Sequence, residues 1–267
     1  MSVDEPRTVM LQFNADAIVM PVARATKDSL EVIAIAFRAI EAADLSKPPV
    51  APRTFFTMTV NSGSMDPSER RTAYENWLLS KGLQELARAL NEALQEAYLC
   101  IHMMRRPPRM TTREEVEREI EDLRSRANGL KFPKLLNSVS DKLTTPLQFI
   151  DEYLSLQKVR NCIEHRAGVV GIKDTNGGPT LKLILPSLDV VLVEAGRETL
   201  LEGQPGRLKV DTQIFVRRGT MVREYSLGER IVLTIDDFQK IAQACHFFAE
   251  DLKSKLLVPP AGDPSAG

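Results

Sequence analysis

The sequence predicts an α+β fold: a helical bundle carrying an antiparallel β insertion ahead of its last helix. Two observations predict it. From residue 67 to residue 168 apolar side chains recur at helical spacing between capping and breaking residues, and after Gly168 the period switches to short β-branched runs punctuated by glycine. A third is the return of a long amphipathic pattern over 235–257.

The first 60 residues are the hardest to assign. VMLQFNADAIVM (9–20) is followed at once by Pro21, and the LEVIAIAF core of the Ala-rich stretch 29–45 suits a helix or a strand. The Pro-rich connector 47–53 leads to TFFTMTV (54–60), which reads as a short strand. The helical elements then follow in order. Asp66-Pro67-Ser68 opens a helix over 67–104 with Trp77, Leu79, Leu83, Leu86, Leu90, Leu94 and Leu99 as its apolar residues. RRPPR (105–109) stops it. A second helix covers 111–129, with a threonine cap, acidic residues in the first turn and a closing glycine. A short third one covers 132–143. The fourth runs from Thr145 to Gly168, with Pro146 in its first turn and Gly168 just past its end.

Strands are expected at 169–174, 179–185, 189–195, 209–218, 221–227 and 230–234, with the TNGG turn between the first two. Phe238, Ile241, Cys245, Phe248 and Leu252 stripe the final helix, and 258–267 is a frayed, disordered tail. The expected organisation is thus an unassigned segment 1–60, a helical bundle of 61–168 plus 235–257, and a β-rich insertion of 169–234.

Charge is balanced, with 35 Lys and Arg against 36 Asp and Glu, so no global field draws the chain to nucleic acid or to an anionic membrane. Any such attraction must come from a local patch. No stretch reaches the roughly 18 uninterrupted apolar residues of a membrane span, and the start MSVDEPR lacks a signal-peptide pattern. With only three cysteines and no framework spacing, the expectation is a cytoplasmic protein with reduced thiols and no membrane partner.

Polar chemistry concentrates in RNCIEH, residues 160–165. Histidine near its ordinary pKa serves as acid or base, guanidinium is a fixed bidentate donor for phosphate, and an amide orients either. Cleaving a phosphodiester without a metal needs a base, an acid and positive charge, so one His per chain is a proton transfer short. Two copies of the stretch in a symmetric dimer supply both. On a helical projection Leu147, Ile150 and Leu154 share a sector with Asn161 and His165, so that face lies against either the strand region or another copy of the chain, and the expectation is a homodimer across it. Arg160 leaves the helix about 140° from His165 at the ideal pitch.

Arg160, Asn161 and His165 at the end of a late bundle helix resemble the HEPN superfamily, in which an Arg and a His four to six residues apart mark metal-independent endoribonucleases acting as dimers. The string RNCIEHRAGVVG is similar to one found in HEPN-like bacterial proteins. The resemblance covers about residues 70–170 and the last helix. It implies a HEPN-like bundle that cleaves RNA without a cofactor, with Arg160 and His165 as the active pair and Asn161 positioning them. It also implies a toxin or phage-defence setting with an antitoxin or other partner protein. Glu164 departs from the family pattern, where a small or apolar residue precedes the His. Four residues after Arg160, it can neutralise it.

The blander expectation is a non-catalytic HEPN-like module in which Arg160–Glu164 is a surface ion pair and His165 complements the helix end. Arg105, Arg106, Arg109 and Arg166 are the candidate contacts to RNA phosphates, with a second basic group at Arg217, Arg218, Arg223 and Arg230. Cys100 with His102, Cys162 with His165 and Cys245 with His246 lack zinc-site spacing, so no metal is expected. Trp77 and the phenylalanines sit at core spacing, and no stacking platform for bases is expected.

Overall fold

Asn14 caps a helix that the Pro21 ring does not stop. In the computed structural model, which describes residues 13–47, 66–107, 112–194, 196–201 and 211–256, helix α1 runs unbroken over Ala15–Ala42. Pro21 falls in its second turn, where it deletes one backbone bond while Ile18, Val19, Val22, Thr26 and Ile33 still form one buried stripe. The strand alternative for LEVIAIAF fails on the same ground. Ile33 is buried while Val32 and Ile35 are exposed, a helical rather than a two-residue period. The expected strand 54–60, the first 12 residues and the tail 258–267 lie outside the described residues.

α2 (Pro67–Met104) is the bundle's axis, 38 residues long, with Asp66 accepting from the Ser68 N–H and Pro67 in the first turn. Leu83, Leu86, Leu90, Ala93, Leu94 and Ala97 are almost wholly buried along it. Trp77 is not, and its expected core role is corrected below. Gly82 marks where α1, α2 and the last helix cross. A Cβ there would stand 2.6 Å from the Phe238 ring and 2.8 Å from Ile33, so only glycine lets them approach.

α3 (Arg113–Gly129) opens on a reciprocal capping box between Thr112 and Glu115. α4 (Phe132–Ser140) is short and strongly one-sided, burying Phe132, Leu135, Leu136 and Val139. α5 (Ile150–Arg166) starts five residues later than expected. Phe149 takes a left-handed backbone (φ 59°), so Pro146 and Leu147 belong to the preceding loop. The Leu147 N–H donates to Ser140 Oγ at 2.9 Å, and its side chain is buried in the chain's own core.

The strand region is two long paired strands and one short one in place of six short ones. β1 (Thr180–Glu194), β2 (Arg197–Leu200) and β3 (Gln213–Ser226) form an antiparallel sheet in the order β2-β1-β3, with Thr180 opposite Ser226 and Val193 opposite Gln213. Pro186 does not break β1, because it lies in the half flanked by β3 alone. The expected strands 169–174 and 230–234 reduce to one bridge, Val169 to Arg230, with the turns of 171–177 between it and β1.

α5 and α6 (Ile235–Leu256) pack on the sheet, and the five-residue stripe expected on α6 is buried throughout. Thr234 and Asp237 cap α6 reciprocally. Ser155 on α5 accepts from the Ile184 N–H of β1, and Thr26 on α1 donates to the Ala242 carbonyl of α6. The architecture is α+β: six helices and one three-stranded antiparallel sheet among the described residues, with α1 joining the bundle against α2 and α6. No helix of the described residues is long and apolar enough to cross a membrane.

Candidate functional site at the end of α5

α5 terminates because Ala167 and Gly168 both turn left-handed, at φ 52° and 79°, and the Gly168 N–H bonds back to the Cys162 carbonyl at 3.1 Å. This closure leaves the last turn of the helix standing at the surface. In these last turns Arg160 binds, and His165 approaches, one carboxylate. Glu164 Oε2 accepts from Arg160 Nη2 at 2.7 Å and lies 4.0 Å from His165 Nε2, while Arg160 Nη1 donates to Asn161 Oδ1 at 3.2 Å. The 140° that separates Arg160 from His165 on an ideal helix is thus bridged by the intervening Glu164.

The environments differ. The His165 side chain is 62% exposed, whereas Arg160 and Glu164 are 32% and 40% exposed. An i,i+4 pair at that exposure is worth about 0.3–0.5 kcal/mol, little enough for a phosphate to displace. Guanidinium has five N–H donors and two of its nitrogens are engaged here.

Beside Asn161 opens a groove of 670 Å³. Lys131 from the start of α4, Lys158 from α5 and Lys182 from β1 line it together with Asn161, over a floor that includes Phe132 and Leu154. Asp151 is the opposing charge, and Lys182 also stands 3.8 Å from Glu224. Sequence reasoning missed these lysines because they come from three separate elements. Only Lys158, three residues before Asn161, had a helical spacing that could have flagged it.

On the other flank of α5 a cleft of 710 Å³ separates Ile163, Ala167 and Gly168 from the first half of α2. Trp77 lines it and is 60% exposed, which corrects its assignment to the core. The preceding stripe begins at Leu79 instead, two residues on and on another side of the helix.

The remaining candidates go elsewhere. Arg105 donates to the Lys142 carbonyl at 2.6 Å. Arg106 is largely buried with its Nε 3.1 Å from a Glu119 oxygen, and its Nη2 has no hydrogen-bond partner among the described residues. Arg109 lies outside the described residues. Arg166 follows His165 directly but turns to Asp174, donating from Nε at 2.7 Å and from Nη2, and Asp174 also accepts the Gly171 N–H. That pair, with Asp174 only 6% exposed, holds the 171–174 turn beneath the helix end.

In the strand region Arg217 pairs with Glu198, Arg223 with Asp237, and Arg218 with the Phe247 carbonyl, so the basic group there is held by intramolecular contacts. Arg230 donates to the Ala167 carbonyl at 2.7 Å and so buttresses the α5 terminus.

All three cysteines are buried. Burial pushes the Cys100 thiol up to about 11 and raises Cys162 and Cys245 as well, which leaves them protonated at neutral pH. Among the described residues no group of three or more His, Cys, Asp or Glu is arranged to hold a metal ion. The dimer face expected from Leu147, Ile150 and Leu154 loses Leu147 to the chain's own core, while Leu154 lines the lysine groove. Compared with known proteins, the chain matches no family model, no curated protein and no solved structure.

Proposed function

We propose that this protein is a metal-independent endoribonuclease of HEPN type, with His165 as its proton-transfer group. One observation carries the reading: the water-exposed imidazole of His165 ends the same α5 sector on which Asn161 faces a three-lysine groove. RNA phosphates lie along Lys131, Lys158 and Lys182, and Asn161 positions the strand. Arg160, released from Glu164, takes the scissile phosphate through two parallel N–H donors.

The chemistry is then transesterification. His165 accepts the proton of a 2′-hydroxyl, the 2′-oxygen attacks phosphorus, and the bond to the 5′-oxygen breaks to leave a cyclic phosphate. The leaving oxygen needs a proton, which His165 of the partner subunit supplies in a homodimer. A toxin or phage-defence role, with an antitoxin or other partner protein that covers this helix end, fits the same reading.

A second reading is favoured by the 2.7 Å Arg160–Glu164 contact: a HEPN-like module that binds without cutting. One experiment separates them. Purified protein is incubated with total RNA and a chelator, wild type beside His165→Ala. Decay in the wild type alone supports the ribonuclease, and equal decay in both tubes, or none in either, supports the binding module.

A further inference from the structure

Trp77 is the chain's one tryptophan, and it stands in water. An indole left exposed on a helix loses the burial that usually holds it, so its surroundings indicate what it serves. Lys81, one turn further along α2, holds its ammonium 5.8 Å from the ring centroid and donates to Gln84 Oε1 at 3.1 Å. Across the cleft stand Ile163 and Arg230, and the amides of Asn76 and Gln84 line it with both donors and acceptors. An aromatic face and flanking cations are the elements by which single-stranded nucleic acid is held without base pairing, and amides can hydrogen-bond the edge of an unstacked base.

From this geometry we infer that the cleft between α2 and the end of α5 holds an unpaired nucleobase of single-stranded RNA, stacked on Trp77. Lys81 and Arg230 meet the adjoining phosphates, and Asn76 and Gln84 reach the base edge. Among the described residues two cations and one carboxylate, Glu69, line the cleft, which favours an anionic occupant. Ile163 on the cleft wall shares the last turns of α5 with Arg160 and His165, which places the occupant beside them. A strand that leaves the lysine groove and rounds the helix end enters this cleft next. The choice of RNA as occupant rests on the proposed function; the stacking itself does not.

Because no second tryptophan interferes, the fluorescence of the full chain reads the cleft directly. The probe is an oligoadenylate of about eight nucleotides, within the span such clefts hold. Its 2′-O-methyl groups keep it from being cleaved. Saturable quenching by this oligomer is expected, and little by an abasic oligomer of the same length. Trp77→Ala should weaken binding, read by anisotropy of a labelled oligomer, about 5- to 150-fold, and Trp77→Phe should restore most of it.

Lys81→Gln should lower the slope of log affinity against log salt by about 0.7, one phosphate's share on a single strand. Unchanged emission, equal quenching by the abasic oligomer, or full affinity in Trp77→Ala overturns the inference. So does adenosine monophosphate that quenches at the same concentration as the oligomer, since the occupant is then a free nucleotide. RNA decay that requires His165 without Trp77 quenching sinks the stacking and keeps the ribonuclease. Quenching with no decay of an unmodified oligomer does the reverse.

Discussion

Two clusters of histidine and arginine stand at helix ends in this chain, and they have opposite fates. At the end of α2, His102, Arg105, Arg106 and Lys142 are all held by neighbours: Lys142 contacts His102 Nε2, Tyr98 meets the His102 ring edge-on, Arg106 is largely buried beside Glu119, and the exposed Arg105 donates to the Lys142 carbonyl. At the end of α5, Arg160 and Glu164 are a surface pair and His165 projects into water. The same residue types sit at the same kind of place. What separates them is the neighbour. The α2 terminus is overlaid by α3 and the 140–143 loop, while the α5 terminus borders the cleft to α2, with the lysine groove beginning at Asn161 one turn before it. Whether polar residues at a helix end stay open to solvent is set by what packs over them.

The contrast can be broken at its open side first. His165→Ala should lower RNA decay by about 10²- to 10⁴-fold, the share a positioned acid–base group carries, with the melting temperature unchanged. Decay that survives the substitution would make the two clusters equivalent.

A smaller effect comes from the other arginine of the same helix end. Asp174→Ala removes the buried partner of Arg166 and the acceptor of the Gly171 N–H, at a cost of about 2–3 kcal/mol. Thermal unfolding should shift down by roughly 5–10 °C. Arg160→Ala, whose pair is exposed, should shift it by less than about 2 °C. Equal shifts would show that the Arg160 pair is structural too.

Glu164→Gln tests whether the carboxylate restrains the guanidinium. Removing a pair worth about 0.3–0.5 kcal/mol should raise RNA affinity about twofold, measured by anisotropy with an uncleavable oligomer. A fall would mean that Glu164 assists binding.

The closed cluster should respond to acid. Burial first, then Lys142, Arg126 and Arg105, hold the His102 imidazole below its ordinary value of 6.5. The unfolded chain therefore binds more protons as pH drops. The stability that neutral His102 contributes is complete above about 6.5 and is lost as pH falls through the lower, folded value. Melting temperature should decline on acidification through that window, and His102→Asn should flatten the decline. The same substitution, like His246→Asn on the exposed face of α6, should leave RNA decay as it is.

Much of the bundle was legible in the chain. Caps at Asp66 and Thr112, the Gly168 stop and the α6 stripe are local features, each decided by residues within one or two turns. The errors also have local causes. Pro21 looked like a boundary because a proline costs one hydrogen bond, a cost that the α1 contacts with α2 and α6 offset. Short β runs looked like separate strands because Pro186 and Gly219 interrupt the pattern, yet β1 and β3 pair straight through both. In the site, RNCIEH was visible as a spacing. The three lysines were not, since Lys131, Lys158 and Lys182 meet only when α4, α5 and β1 are packed.

Read alone, the amino-acid order determined that α5 ends at Gly168 with Arg160, Asn161 and His165 in its last turns, because capping and helical period act over a few residues. Only tertiary structure decided which side chains are open to solvent: His165 in water and Trp77 at a cleft, Arg106 and Asp174 beneath neighbours. Exposure is a property of what lies within a few ångströms in space, and those neighbours come from elements tens of residues away along the chain.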